Sequence, residues 1–174
     1  HLDLMLKKDE QYKIIDDYLS ISNYEQIRNY VQDATYKHGE VDYVGSYSIG
    51  MVHELPINKE LNFPTHINNY PLVRAYINFY SPRELAVFHV DADDPQSTTL
   101  LYYPCPTYEL NEGGATELVI NNNIVGVRSI ANRLLAFKSN ILHRSTPFKN
   151  YPRWTIALKY NEFITPQDER TRQV

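Results

Sequence analysis

The sequence has a single cysteine, Cys105, among 174 residues. One thiol cannot form a disulfide within the chain, so we expect a reducing, cytoplasmic setting. Long hydrophobic runs are missing too: none approaches the roughly 18 apolar residues of a membrane helix, and no signal peptide is visible. The net charge is −4 and the basic residues are dispersed. We therefore expect neither a nucleic-acid nor a membrane partner.

Helix signals are confined to the front of the chain, in a region that spans about residues 10–40. Tyr12–Leu19 is consistent with a strand or with the start of a helix. Asn23–Lys37 carries apolar residues at helical spacing, with Ser22 as the expected N-cap and Gly39 as the expected C-cap. Without an internal repeat or a low-complexity linker, the sequence predicts one domain over its whole length.

Beyond the helix, short strand-like runs recur with turn signals between them. About eight such runs favour a double-sheet β-fold, a sandwich or a barrel, with one helix packed on it. The runs are Tyr43–Val52, Val73–Tyr80, Ala86–Val90, Thr98–Tyr103, Ala115–Ile120, Ile124–Ser129, Arg133–Lys138 and Arg153–Tyr160.

The stretch VFHVDADD places His89 and Asp91 two residues apart, at the end of an apolar run. Such a triplet occurs often by chance and is a weak signal by itself. His143 follows the strand LLAF far enough downstream to return on a neighbouring strand. Two histidines and one carboxylate form a facial triad, which is characteristic of non-haem Fe(II) oxygenases. The alternative for each histidine alone is a structural, hydrogen-bonded side chain.

Arg153 opens the apolar strand RWTIAL, ten residues after His143. A buried, unpaired guanidinium is costly, so this residue requires an anionic partner. Its fork binds a carboxylate in bidentate fashion, and Thr155 lies on the same strand face. The alternative is an ordinary ion pair with an Asp or Glu of the protein.

The order His89-x-Asp91, His143, Arg153-x-Thr155 resembles the Fe(II)/2-oxoglutarate-dependent dioxygenase superfamily, in its prolyl-4-hydroxylase-like branch. Four further elements fit that branch over roughly residues 70–162. They are Tyr80 upstream of the first ligand, the pair Tyr102 and Tyr103, the GGATELV turn and strand at 113–119, and the element formed by Phe137, Ser139 and His143.

This resemblance implies a mainly β protein with an N-terminal helix and a double-stranded β-helix, or jelly-roll, core. It implies that His89, Asp91 and His143 ligate Fe(II). Arg153 would hold the distal carboxylate of the co-substrate 2-oxoglutarate, and O2 would be the oxidant. Tyr103 and Thr155 would assist Arg153, while Tyr80 and Thr116 would line the pocket.

Two local departures from the family pattern concern turns. The turn before the second-histidine strand has Asn132 where relatives have glycine, and asparagine tolerates the left-handed conformation. Pro104 and Pro106 cannot donate ladder hydrogen bonds, so the tyrosine strand should stop early or lie at an edge. Asp91 itself is present, unlike in related iron halogenases, which favours hydroxylation.

The expected function is hydroxylation of an unactivated C–H bond, with release of succinate and CO2. The substrate would be a prolyl residue in a peptide or a small molecule. One alternative is a jelly-roll module that binds metal or 2-oxoglutarate without turnover. A zinc hydrolase with the same ligands is another, but it leaves Arg153 and the tyrosine pair unexplained.

Overall fold

The computed structural model describes residues 4–38, 49–58 and 62–162, which form one α-helix and eleven β-strands. No helix in these ranges is long and apolar enough to cross a membrane. The helix α1 spans Ile21–Asp33. The strands, in chain order, are β1 Tyr12–Ile15, β2 Lys37–His38, β3 Met51–Leu55, β4 His66–Ile67, β5 Tyr70–Tyr80, β6 Thr98–Tyr103, β7 Ala115–Ile120, β8 Asn123–Arg128, β9 Arg133–Lys138, β10 His143–Ser145 and β11 Arg153–Tyr160.

Two antiparallel sheets are formed. The larger has the strand order β1-β9-β6-β11-β5-β3-β2, and β4 pairs with β5 at its side. The smaller has the order β10-β7-β8. The crossovers in the large sheet mean that neighbours in space are distant in sequence: β11, near the end of the described chain, lies between β5 and β6.

Strands β6 and β11 are buried on both faces, which explains their nearly continuous apolar sequences. Leu100 and Tyr102 face a core shared with α1, whose buried residue is Val31. Leu101 and Tyr103, one residue out of phase, face the space between the two sheets and pack near Leu118 of β7. The site described below lies in that inter-sheet space.

The helix has different boundaries from those predicted. It begins after Ser20, whose Oγ accepts a hydrogen bond from the backbone N–H of Asn23, so the N-cap lies two residues before Ser22. It ends at Asp33, because Lys37 and His38 pair with β3 instead of continuing the helix. The strand pairing of these residues outweighs the local helix preference that their apolar spacing indicates. The expected C-cap, Gly39, lies outside the described residues.

The expected strands are confirmed in most places. Tyr12–Ile15 is a strand rather than the start of a helix. Part of Tyr43–Val52 lies outside the described residues, and Met51 and Val52 belong to β3. Ala86–Val90 is wrong as a strand: it makes one isolated bridge, between His89 and His143. The chain bends there because the N–H groups of Asp91 and the residue after it both donate to the carbonyl of Ser139.

Both turn predictions are confirmed. Asn132 has φ 63°, the left-handed conformation expected where glycine is missing. Its amide is also used structurally, since Oδ1 accepts from the Tyr102 hydroxyl and from the N–H of Leu19. Strand β6 ends at Tyr103, directly before Pro104.

Candidate metal and co-substrate site

The two histidines are brought together by a backbone bridge between a loop and the smaller sheet. The N–H of His89 donates to the carbonyl of His143 at 3.0 Å, and the N–H of His143 donates back at 2.9 Å. The imidazole rings consequently lie side by side, with centroids 4.4 Å apart. His143 begins β10, so its position is set by the pairing of β10 with β7.

Each imidazole is oriented through its Nδ1 atom. Nδ1 of His89 lies 3.0 Å from the carbonyl oxygen of Val87, and Nδ1 of His143 lies 2.8 Å from that of Ile141. A carbonyl can only accept, so each Nδ1 carries the proton and each Nε2 keeps its lone pair. Burial lowers the pKa of His143 to about 4, so this ring is a neutral donor at pH 7.

The Asp91 carboxylate lies between the two rings and is held by the larger sheet. Its Oδ2 accepts from the Thr99 hydroxyl on β6 at 2.7 Å and from the Lys159 ammonium on β11. Burial alone raises the pKa of the Asp91 carboxyl, but Lys159 and the two imidazoles outweigh it and hold the pKa below its ordinary value. Asp91 is therefore an anion in a mostly buried site.

The three side chains converge as a ligand set should. Nε2 of His89 lies 3.6 Å from Asp91 Oδ1, and Nε2 of His143 lies 3.5 Å from Asp91 Oδ2. One donor atom from each residue lies within 4.8 Å of the other two. Metal–nitrogen bonds are near 2 Å, so donors on one ion are at most about 4 Å apart. A small inward movement would let the three share a divalent ion.

The depressed pKa of His143 predicts a pH effect on the metal-free protein. The unfolded chain protonates this histidine near pH 6.5, whereas the folded chain does so only near pH 4. Between these values the unfolded state binds more protons. The free energy of unfolding should therefore fall by about 3 kcal/mol as the pH drops through this window.

Urea unfolding at pH 7.0, 5.5 and 4.5 checks this expectation. The His143→Gln variant is the reference, because it retains the other histidines and lacks this one. The stability advantage of the wild type over the variant should shrink as the pH falls. Parallel pH dependences of the two proteins would contradict the assignment of a neutral, buried His143.

Arg153 lies deep between the sheets and is 0% exposed. Its Nη1 donates to the carbonyl oxygens of Ala115 and Thr146, both at 3.0 Å. Nε has no hydrogen-bond partner, and within the described residues no carboxylate forms an ion pair with the guanidinium. Burial lowers its pKa, as expected for a cation without a counter-ion. The expected alternative, an ion pair with an acidic side chain of the protein, is not found in these ranges.

The other predicted pocket residues surround Arg153. Thr155 follows it on β11, and its buried Oγ1 also has no hydrogen-bond partner. The Tyr103 hydroxyl lies 2.7 Å from Oγ1 of Thr116, which is 3.4 Å from Arg153 Nη2. Tyr80 is directly opposite Arg153 in the β5–β11 register and lines the same cavity as both histidines. Tyr80, Thr155 and both histidines thus line one cavity, while Arg153, Tyr103 and Thr116 form a contact group of their own.

The buried polar groups around Arg153 are suited to bind a carboxylate ligand. Burial raises the pKa of Tyr103 despite the nearby guanidinium, so its phenol remains a protonated donor at neutral pH. Together Arg153, Thr155 and Tyr103 bring a cation and hydroxyl groups to the inter-sheet space. These groups are suited to bind a carboxylate.

Three further side chains of the site, which surround Asp91, were not predicted in this role from the sequence. Thr99 and Lys159 bind Asp91, and the Ser139 hydroxyl lies 2.9 Å from that of Thr99. For Lys159 a signal did exist: it lies on the same face of β11 as Arg153 and Thr155 by strand alternation. Nothing in the sequence indicated that this face reaches Asp91.

Comparison with models of protein families gives no match, and comparison with curated proteins gives none either. Solved structures do match. A Trichoplax adhaerens prolyl hydroxylase in complex with a hypoxia inducible factor oxygen degradation domain peptide fragment has a TM-score of 0.68 and 19% identity, covering 95% of this chain and 88% of that chain. A Pseudomonas putida prolyl-4-hydroxylase has a TM-score of 0.70 and 11% identity, covering 88% and 94%.

A third match is to a protein with a small-molecule ligand. HygX from Streptomyces hygroscopicus, with nickel, 2-oxoglutarate and hygromycin B bound, has a TM-score of 0.64 and 10% identity, covering 88% of this chain and 84% of that chain. At sequence identities this low, the structural matches show a shared fold and no more than that. The expected double-stranded β-helix, with a helix near the N-terminus, is confirmed.

Proposed function

We propose that this protein is an Fe(II)- and 2-oxoglutarate-dependent dioxygenase that hydroxylates an unactivated C–H bond. The observation that carries the proposal is that the inter-sheet space holds both a metal-ligand set and a buried cation. The His-Asp-His donor set and a fully buried arginine, with no carboxylate partner among the described residues, both belong to this space. A metal site alone would explain the first feature, but only an anionic, chelating co-substrate explains both.

In this proposal His89, Asp91 and His143 would hold Fe(II). Two imidazoles and a carboxylate are donor types that suit this ion, and its remaining coordination sites would be left for the co-substrate and O2. The bound iron, with 2-oxoglutarate and O2, supplies an oxidant capable of C–H hydroxylation, and succinate and CO2 are released. The protein contributes fixed ligands and a cavity that limits access of water.

Arg153 receives the distal carboxylate of 2-oxoglutarate. Thr155 and Tyr103 donate to the same carboxylate. The carboxylate gives a partner to the Thr155 hydroxyl, which has none in the described residues, and a second partner to the Tyr103 hydroxyl, which contacts Thr116. Binding of the distal carboxylate at this position would leave the keto-acid end of 2-oxoglutarate available to chelate the metal. Tyr80 lines the cavity, and Thr116 contacts Arg153.

The substrate class is a peptide prolyl residue or a small molecule. Structural neighbours are found with both kinds of ligand, a peptide fragment in the Trichoplax protein and hygromycin B in HygX. Asn78 and Ser145 add polar groups to the cavity lining, next to the apolar Val52 and Ala86. A mixed lining of this kind suits a compact, partly polar group near the iron.

The test is an anaerobic titration of the metal-free protein with Fe(II) and then 2-oxoglutarate. Chelation of iron by the keto acid should produce a weak visible charge-transfer band. The band should be absent in His143→Ala, which removes one ligand and leaves the Arg153 side chain unchanged. Exposure to O2 should then yield succinate from the wild type.

Each alternative has its own outcome. A band without succinate, even with candidate substrates present, would favour the non-catalytic binding module. No band from folded wild-type protein, together with tight Zn(II) binding, would contradict the proposal and favour a different metal chemistry. Peptides with a central proline are the first substrates to screen, and small molecules such as hygromycin B come second.

A further inference from the structure

Lys159 makes a contact that the proposed reaction does not require. Its Nζ forms an ion pair with Oδ2 of Asp91, the single carboxylate of the donor set. The Lys159 side chain is only 16% exposed, and that of Asp91 is 7% exposed. The pair is therefore largely withdrawn from water, where an ion pair is stronger than at the surface.

The position of Lys159 follows from the strand. Alternation along β11 places Arg153, Thr155, Ala157 and Lys159 on the inter-sheet face. Six residues of strand separate the two cations by about 20 Å along the backbone. Arg153 and Lys159 therefore lie at opposite ends of the inner face of β11. Lys159 contacts the donor set, and the proposed binding of the distal 2-oxoglutarate carboxylate by Arg153 does not involve it.

We propose that Lys159 is the internal counter-ion of Asp91. When no metal is bound, the Lys159 ammonium neutralises the Asp91 carboxylate, and this competition weakens metal binding. The inference rests on the proposed function, because it concerns the same metal site. A divalent ion must share Asp91 with an ammonium group already in contact with it. Lys159 thus stabilises the empty site and keeps the bound metal exchangeable.

Two effects of removing Lys159 oppose each other. Loss of a side chain that orients a metal ligand typically lowers metal affinity 10- to 100-fold. Here the orientation survives, because Thr99 still donates to Asp91 Oδ2 at 2.7 Å and the Asp91 N–H still bonds the carbonyl of Ser139. The variant loses the repulsion between the Lys159 ammonium and a divalent ion bound to the same carboxylate. The net effect should be tighter metal binding.

The experiment measures Mn(II) affinity of the full chain, since Mn(II) is stable in air and prefers the same ligands. Calorimetry on metal-free wild type, Lys159→Met, Lys159→Gln and Lys159→Arg gives the four dissociation constants. Met removes the charge and keeps most of the volume, whereas Gln keeps a donor for Oδ2. Both should bind Mn(II) at least about ten-fold more tightly, and Arg should resemble the wild type.

Lys138→Met is the matched control. Lys138 ends β9, and its Nζ donates to the backbone carbonyl of Lys8, away from the donor set. This variant should bind Mn(II) as the wild type does. Thermal unfolding without metal gives a second readout: Lys159→Met and Lys159→Gln should have lower melting temperatures than the wild type, and saturating Mn(II) should produce larger upward shifts in them.

The outcomes separate this inference from the proposed function. If the wild type binds Mn(II) and the neutral variants bind it equally or more weakly, the counter-ion role is overturned and the proposed function stands. Unchanged melting temperatures of the metal-free neutral variants would also overturn it. Wild-type protein that binds neither Mn(II) nor Fe(II) would overturn the proposed function and this inference with it.

Discussion

Replacing Arg153 by methionine is expected to weaken 2-oxoglutarate binding by about 100-fold or more, corresponding to about 3 kcal/mol. The guanidinium is fully buried and has no carboxylate partner among the described residues, so the proposed ligand would supply a counter-ion. Methionine fills most of the same volume without the charge. The dissociation constant from the charge-transfer titration, at saturating Fe(II), measures the effect.

Stability should respond differently from affinity. The ligand-free protein carries a buried cation without a counter-ion in the described part of the chain, and replacement of such a group by an apolar one is often neutral. Arg153→Met should therefore unfold within about 1 kcal/mol of the wild type. Arg133→Met is the matched control, because Arg133 on β9, which is separated from β11 by β6, pairs with Asp16. Equal 2-oxoglutarate affinity in wild type and Arg153→Met would refute the anchor.

Replacing Asp91 by asparagine should nearly abolish metal binding, with a loss of more than about 100-fold in affinity. An amide keeps the shape but has neither the charge nor the basicity that a divalent ion needs from the one anionic ligand of the donor set. Inductively coupled plasma analysis after loading and dialysis, together with Mn(II) calorimetry, would show the loss.

The same substitution should also destabilise the metal-free protein by about 3 kcal/mol. Lys159 would then be a buried cation without its partner. Adding Lys159→Met to Asp91→Asn should recover part of that loss, because both charges are then gone. Asp94→Asn serves as the control: Asp94 caps its own loop through the N–H of Gln96 and should not affect metal affinity. Full metal occupancy in Asp91→Asn would contradict the ligand assignment.

Much of the site could be predicted because its chemistry is written in residue types and spacing. His89 and Asp91 are two residues apart, and Arg153 opens an otherwise apolar strand. A buried arginine needs an anion, and a strand places alternate residues on one face. The grouping of His143 with Arg153 and Thr155 into one site came from the resemblance of the motif order to that of a known family.

Other features depended on competition between local and distant contacts. Apolar spacing alone predicted a helix that continues to Lys37, but in the structure Lys37 pairs with β3 as part of a strand. The run Ala86–Val90 has strand-like composition, yet hydrogen bonds to Ser139 bend the chain as it leaves His89. Local propensities amount to tenths of a kcal/mol per residue, so a few tertiary hydrogen bonds override them.

The β-rich class follows from strand-like runs with turn signals between them, and the need of Arg153 for an anionic partner follows from the cost of burying a charge. The three donor residues were assigned through the resemblance to a known family, because His89-x-Asp91 alone is a weak signal. The place of β11 between β5 and β6, with its inner face toward Asp91, was not accessible from the amino-acid order. That arrangement brings Lys159 and Thr99 onto the carboxylate. Contacts between strands so far apart in sequence depend on sheet order, which no local pattern encodes.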